Sequence, residues 1–205
     1  MSFYLIRHGE TEWNHSKKIQ GWQDVDLNDR GLLQAEKLAK HFENHHIDVI
    51  YSSDLKRAYK TSEVLSNLKH HEIISEPLLR EINFGDWEGK TWKEIQVANQ
   101  EFFAKGGLNQ FDSAIHHGES LNQFKKRAVD HFYSLVEKHL TEDVYIFTHG
   151  GNIRMIVLDI LDLPLKTEDP LLIDNASITI VAFNQISKKL EVVSVNDTSH
   201  LNEVK

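Results

Sequence analysis

Three of the predicted strands end in residues that bind anions. Arg7 and His8 stand at the end of the first apolar run, and His149 and Gly150 stand at the end of a later one. Arg57 follows a third run by a few residues, on the first turns of a predicted helix. In open α/β sheets, ligands bind at the carboxyl ends of the strands. One such residue alone is usually a surface or capping residue, but three strand ends together predict a local anion pocket.

The elements that position these residues alternate between strands and helices. Short runs rich in β-branched and aromatic residues predict buried strands, and apolar residues at helical spacing predict two long helices between strands. The alternation predicts an α/β fold, a three-layer α/β/α sandwich with a mainly parallel central sheet. The predicted strands lie at 3–6, 49–51, 144–147 and 178–183, with an edge strand at 190–195, and the helices include 32–42 and 121–136.

The chain is predicted to form one domain. Its 205 residues suffice for one sizeable α/β core and are few for two. The sequence contains no internal repeat, low-complexity tract or flexible linker. We therefore expect a single domain over 1–205, with an excursion or lid around 90–120.

The composition excludes several classes of protein. A net charge of −8 argues against nucleic-acid binding, because such proteins carry a basic excess or a basic stripe. No apolar run approaches the roughly 20 residues of a bilayer span, and the N-terminal segment lacks a signal-peptide pattern. We therefore expect a cytoplasmic protein with no membrane partner. The absence of cysteine excludes disulfides, thiolate metal ligands and a thiolate nucleophile.

Four sequence motifs together carry a family resemblance. They are Leu5-Ile6-Arg7-His8-Gly9-Glu10-Thr11 with Asn14, Ser52-Ser53-Asp54-Leu55-Lys56-Arg57-Ala58 with Thr61, Leu79-Arg80-Glu81-Ile82-Asn83-Phe84-Gly85-Asp86-Trp87-Glu88-Gly89, and Thr148-His149-Gly150-Gly151. In this order they resemble the histidine phosphatase (phosphoglycerate mutase-like) superfamily, and in particular its small, broad-specificity bacterial phosphatases. The resemblance implies the phosphoglycerate mutase-like fold and the hydrolysis of small phosphate monoesters through a phosphohistidine, without a cofactor.

The resemblance also implies a role for each ionisable residue of the predicted pocket. His8 would be the nucleophile, Glu81 the proton donor, and Arg7, Arg57 and His149 the phosphate pocket. Phosphoryl transfer spreads negative charge over three oxygens in its transition state, so positioned donors supply most of the catalysis. Guanidinium forks bind such oxygens in pairs, and a protonated His149 would add a third cation.

This chemistry sets two requirements on protonation. His8 must be neutral in order to attack, so its second ring nitrogen must be held, and a backbone carbonyl near Gly9 is the expected partner. Glu81 must be protonated in order to donate to an alkoxide, which is otherwise a poor leaving group. Together the two requirements predict an acidic rate optimum.

Four further positions resemble phosphate contacts of the family. For Asn14, a role in capping a helix or forming a turn fits equally well. Gly150 also fits an ordinary strand-to-helix turn. The four positions are Asn14, Gln20, Gly21 and Gly150.

Three alternative functions stay open at the level of sequence. A phosphoglycerate mutase would use the same phosphohistidine, but it needs extra cations, and no arginine occurs from Glu81 through Lys126. A non-catalytic module that binds phosphorylated ligands would be expected to have lost His8 or Glu81, and both are present. A zinc-dependent hydrolase is the third alternative. The expected partner is therefore a small-molecule phosphate ester, and no oligomeric state follows from the sequence.

The histidine-rich composition does not by itself predict a metal site. The chain has 13 histidines, most of them in polar stretches where solvated surface is the expected environment. His41 and His45 have the helical spacing of a zinc pair, but no H-E-x-x-H pattern or third ligand accompanies them. We therefore predict no metal ligands.

Overall fold

A central six-stranded sheet organises the computed structural model, which describes residues 1–107, 112, 115–165 and 171–202. The strand order is β3-β2-β4-β1-β5-β6. All five predicted strands are confirmed, and one short edge strand, β3, was not predicted. The strands are β1 (Ser2–Arg7), β2 (Val49–Ser52), β3 (Ile73–Ser75), β4 (Val144–Thr148), β5 (Ile178–Asn184) and β6 (Lys189–Asp197).

The sheet is parallel where the pocket residues arise. Strands β3, β2, β4 and β1 run parallel, whereas β5 and β6 complete the other edge as an antiparallel pair. The prediction of a mainly parallel sheet is therefore confirmed. Because β2, β4 and β1 are neighbours with one direction, their carboxyl ends meet at one edge, as the pocket requires.

Helices cover both faces of the sheet and give the predicted three layers. One apolar core joins α6 and α7 to the sheet through side chains such as Phe132 and Ile153. A second core joins α2 and α3 to the opposite face through Leu38 and Leu65. The helices are α1 (Glu12–His15), α2 (Asp29–His41), α3 (Lys56–Lys69), α4 (Trp92–Ala98), α5 (Gln100–Ala104), α6 (Leu121–Lys138) and α7 (Gly150–Ile160).

Local sequence explains the start and the packing of α6. Ser120 accepts a hydrogen bond from the backbone of Gln123, whose side chain binds the Ser120 backbone in return, so the first turn is capped reciprocally. Phe124, Ala128 and Phe132 then form the buried stripe of the helix. Burial of this stripe, more than helix propensity, fixes the helix against the sheet.

The predicted excursion around 90–120 contains α4, α5 and a turn that returns to α6. An aromatic group anchors its first part, since Trp87 contacts Trp92, Phe102 and Phe103 with ring centroids 5.5 to 6.0 Å apart. Residues 108–111 and 113–114 of the expected lid lie outside the described residues. No helix in the described part of the chain is long and apolar enough to cross a membrane.

Candidate active site

The two arginines and two histidines of the predicted pocket lie together at the carboxyl edge of the sheet. They are Arg7, Arg57, His8 and His149. The rings of His8 and His149 are 5.2 Å apart, although the two residues come from different strand ends. Both imidazoles are buried, Arg57 is completely buried, and Arg7 is partly exposed. Arg7 and Arg57 lie close enough to both imidazoles to act on their charge, so two guanidinium groups and two imidazoles lie close together at this edge.

His8 is held by the backbone at one ring nitrogen. Its Nδ1 lies 2.7 Å from the carbonyl oxygen of Gly9, which confirms the predicted partner. A carbonyl only accepts hydrogen bonds, so Nδ1 carries the proton and Nε2 is left with its lone pair. The backbone N–H of Gly9 in turn donates to Thr61 Oγ1 at 3.0 Å. The turn after β1 therefore selects the tautomer in which Nε2 is a nucleophile.

Backbone carbonyls orient both arginines. Arg7 donates from Nη1 to the carbonyl of Ile173 at 2.5 Å. Arg57 donates to the carbonyls of Gln23 and Gly21 at 2.8 and 2.7 Å. The Nε–H of each arginine is buried and makes no hydrogen bond to any described residue. Since neutral carbonyls orient the guanidinium groups without cancelling their charge, both remain suited to an anion.

His149 precedes α7 and is held by the strand end of β2. Its Nε2 lies 2.9 Å from Ser53 Oγ. Its Nδ1 is buried and, within the described ranges, has no hydrogen-bond partner. Ser53 belongs to a motif of the sequence, but nothing in the sequence indicated that its hydroxyl contacts His149.

Two backbone N–H groups hold the carboxylate of Glu81 in place. Its carboxylate accepts hydrogen bonds from the backbone N–H of Ile82 at 2.9 Å and from that of Gly151 at 3.0 Å. A Cβ atom at position 151 would lie 2.2 Å from Glu81 Oε1, so a larger residue there would displace the carboxylate from this position. Arg127 donates to the backbone carbonyl of Glu81 at 3.0 Å, which helps to fix the main chain at this residue.

Burial controls the charge of the pocket. Desolvation, reinforced by the nearby Arg57 and Arg7, lowers the pKa of His8 and that of His149 well below the ordinary 6.5. Burial also lowers the pKa of Arg57, to about 10, which still leaves it charged at neutral pH. Without a bound anion, His149 is therefore neutral and does not supply a third cation. The positive charge comes from the two arginines.

The lowered pKa of His8 has a consequence that NMR can measure. A histidine with a pKa below 6.5 stays neutral on acidification until the pH passes that lowered value. In the free protein, we expect the His8 ring signals to keep their neutral chemical shifts as the pH falls from 8 through 6.5, where an ordinary histidine would be half protonated. Signals missing from the spectrum of His8→Ala would assign the ring. A titration midpoint at or above 6.5 would contradict the burial argument.

Two of the four further predicted contacts lie against the turn after β1, and the other two lie against the arginines of the pocket. Asn14 forms a reciprocal capping box with Thr11 at the start of α1, so its capping role is confirmed. The side chain of Gln20 accepts from Thr11 Oγ1 at 3.0 Å. Gly21 presents its carbonyl to an arginine of the pocket, and Gly150 lies against Arg7. No described contact ties these four to a phosphate, so their part in binding stays a prediction.

Asn175 is a site residue that sequence reasoning missed. Its Nδ2 lies 3.1 Å from the carbonyl of His8, 3.3 Å from that of Gly9 and 3.2 Å from Asn14 Oδ1. The next residue, Ala176, donates its backbone N–H to the His8 carbonyl at 3.1 Å. The loop before β5 therefore fixes the turn that carries His8. A lone asparagine 167 residues away gives no sequence signal for this contact.

Removal of the Asn175 amide should slow catalysis through displacement of His8. We expect Asn175→Ala to lower kcat on p-nitrophenyl phosphate by about tenfold to 100-fold, because small misplacements of a nucleophile cost this much. KM should change little, since backbone carbonyls orient both arginines and the Asn175 side chain contacts neither of them. Asn122→Ala, which alters an exposed asparagine on α6, is the matched control. A raised KM with unchanged kcat would argue against a positioning role.

Comparisons with known proteins place this geometry in a family. The chain matches the model of the histidine phosphatase superfamily (branch 1) over residues 3–198. It is 36% identical over 203 residues to the metal-independent phosphoserine phosphatase of Arabidopsis thaliana, covering 98% of this chain and 83% of the relative. Among solved structures, Bacillus stearothermophilus YhfR has a TM-score of 0.88 and 32% identity, covering 98% of this chain and 99% of that one. A phosphoserine phosphatase variant from Entamoeba histolytica, solved with phosphoserine, has a TM-score of 0.84 and 30% identity over 98% of both chains.

These similarities agree with the sequence motifs and with the fold. The match spans nearly the whole chain, and the phosphoglycerate mutase-like arrangement of the sheet is confirmed by the structural likeness. The motifs that carried the resemblance supply the residues that meet in the pocket. This chain belongs to the histidine phosphatase superfamily (branch 1).

Proposed function

We propose that this protein hydrolyses small phosphate monoesters through a phosphohistidine formed on His8. The main support is a set of three buried side-chain nitrogens near His8 that have no hydrogen-bond partner among the described residues. These nitrogens are Arg7 Nε, Arg57 Nε and His149 Nδ1. Buried polar groups are nearly always paired in folded proteins, so two unpaired guanidinium N–H groups and an unpaired imidazole nitrogen call for a ligand rich in acceptors. A phosphoryl group fits this requirement in both charge and number of oxygens.

The first half-reaction transfers the phosphoryl group to the protein. His8 Nε2 attacks phosphorus while the bond to the ester oxygen breaks, and Nδ1–H remains hydrogen-bonded to the Gly9 carbonyl. Glu81 delivers its proton to the departing alkoxide, which leaves as the alcohol. Arg7 and Arg57 bind the equatorial oxygens, where negative charge accumulates.

The second half-reaction returns the phosphoryl group to water. The Glu81 carboxylate takes a proton from a water molecule that attacks phosphorus, and the N–P bond breaks to release phosphate and regenerate neutral His8. The arginines serve both steps because the phosphoryl group does not leave the site. Burial is the main cause of the lowered pKa of His149, and the nearby arginines lower it further; a bound phosphate dianion would offset the effect of the arginines and so favour protonation of His149.

The distribution of cations favours hydrolysis over phosphoryl transfer to a sugar acid. A mutase must hold an intermediate with additional anionic groups, which calls for extra cations near the pocket. The stretch from Glu81 through Lys126 contains no arginine. The first basic fork after it, Arg127, is engaged with Glu119 and with backbone carbonyls. We therefore propose a phosphatase.

Turnover of p-nitrophenyl phosphate in excess EDTA tests this proposal directly. We expect hydrolysis to persist in EDTA, because His8 and the arginines need no metal ion. A panel of phosphorylated metabolites should follow, with phosphoserine first because two similar proteins carry it in their names. A rate that EDTA abolishes and Zn²⁺ restores would support a zinc-dependent hydrolase, and phosphate binding without turnover would support a non-catalytic module.

A further inference from the structure

Among the residues that the structure describes, one group of side chains outside the pocket has the arrangement of a metal site. Asp86 lies in the short helical turn Gly85–Trp87, and His116 and His117 follow 30 and 31 residues later. One ligand atom from each residue lies within 4.8 Å of the other two. We propose that Asp86, His116 and His117 bind a divalent transition-metal ion of the Zn²⁺ type.

The two histidines converge on one carboxylate. His116 Nδ1 lies 2.7 Å from one oxygen of Asp86, and His117 Nδ1 lies 3.0 Å from the other. Adjacent side chains in an extended segment point to opposite sides. Here His117 has a left-handed backbone (φ 59°), uncommon for a residue other than glycine, and the two rings are 3.9 Å apart. With this backbone conformation, the Nδ1 atoms of both histidines face the Asp86 carboxylate.

Backbone contacts fix the two segments that supply the ligands. The Asp86 N–H donates to the His116 carbonyl at 3.1 Å, and the Gly118 N–H donates to the Ile115 carbonyl at 2.7 Å. A Cβ atom at Gly85 would lie 2.2 Å from the His116 carbonyl oxygen, so the two segments are in close contact. The three side chains are therefore close together without an ion, and an ion that binds between them would replace the protons that the two Nδ1 atoms share with Asp86.

The donor set selects a class of ion. Two imidazole nitrogens and a carboxylate are a common ligand set for zinc and similar ions, with bonds of about 2.0–2.2 Å. The side chains are 73%, 72% and 52% exposed, so an ion can enter from solvent and keep water at its remaining positions.

The position of the site suggests what a bound ion would do. The residue after Gly118 is Glu119, whose carboxylate accepts from the Asn83 backbone and from Arg127. Arg127 also holds the carbonyl of Glu81. An ion that fastens the 116–118 loop to the Asp86 turn would therefore stabilise the surroundings of Glu81 without taking part in the reaction.

Titration with Zn²⁺ tests the site. The full chain is first treated with EDTA to remove bound metal, and the EDTA is then removed. Calorimetry should give one Zn²⁺ per chain, and Tm should rise by roughly 5 °C or more at about 100 times the Kd. His116→Gln/His117→Gln should weaken binding by at least about tenfold and remove the rise in Tm. His70→Gln/His71→Gln is the matched control, because it also alters an adjacent pair with one left-handed residue. This control should bind as the native chain does.

Two results would overturn the site. Equal Zn²⁺ affinity in the native chain and in His116→Gln/His117→Gln would show that these ligands hold no ion. Loss of binding in His8→Ala, with binding retained in His116→Gln/His117→Gln, would place the ion in the phosphate pocket instead. Asp86→Asn provides a second test with an isosteric side chain if the double variant folds poorly. Binding and Tm are measured without substrate, so they stand whether or not the protein is a phosphatase.

Discussion

Replacement of His8 by alanine will lower kcat on p-nitrophenyl phosphate by at least about 10⁴-fold, because it removes the atom that forms the covalent intermediate. The arginines and His149 remain in this variant, so phosphate should still bind. The loss should therefore appear in kcat. The affinity of the native enzyme for phosphate, measured by inhibition, should be similar to the affinity of the variant for phosphate, measured by direct binding.

Trapping of the intermediate makes this prediction sharper. Rapid quenching of the native enzyme with a phosphate ester should leave an acid-labile phosphoryl group on the peptide that contains His8, detectable by mass spectrometry. His15→Ala, which alters an exposed histidine on α1, is the matched control and should keep both turnover and the labelled peptide. Turnover in His8→Ala near the native rate, or a label on another residue, would refute the nucleophile assignment.

The sheet and the location of the pocket could be predicted because both depend on strong local signals. Val144–Thr148 is buried at every residue, and such continuous apolar runs distinguish central parallel strands. Because β1, β2 and β4 are neighbours and parallel, their carboxyl ends lie at one edge, and this does not depend on the conformation of the loops. A residue directly after a central strand, such as His8 or His149, is therefore placed by topology.

The features that were not predicted depend on contacts between distant segments. Strand β3 has only three residues and one of its side chains, Ile74, is 43% exposed, so it lacks a buried run. Asn175 acts through its amide on a turn at the other end of the chain. The lowered pKa of His149 comes from burial and from Arg57, and neither can be read from the residues beside it. Such effects follow from packing rather than from local pattern.

Replacement of Glu81 by glutamine will separate esters according to their leaving groups. An alkyl phosphate leaves as an alkoxide and needs a proton, so its hydrolysis should slow by about 10²- to 10⁴-fold. Nitrophenolate is a stable anion, so formation of the phosphohistidine from p-nitrophenyl phosphate should slow far less. The measurement is the burst rate of nitrophenol release compared with single-turnover rates on an alkyl ester such as phosphoserine.

The geometry of the carboxylate makes glutamine an informative substitution. Glu81 is held through acceptance from the backbone N–H groups of Ile82 and Gly151, and the amide oxygen of glutamine can accept from them only in part. A purely structural role would therefore slow both kinds of ester to the same extent, whereas a proton donor slows them unequally. Glu72→Gln, at an exposed position, controls for the loss of one negative charge. The same carboxylate activates water in the second step. Steady-state turnover of both esters should therefore fall in Glu81→Gln even where the burst of nitrophenol persists. A burst followed by slow turnover would assign both proton transfers to Glu81.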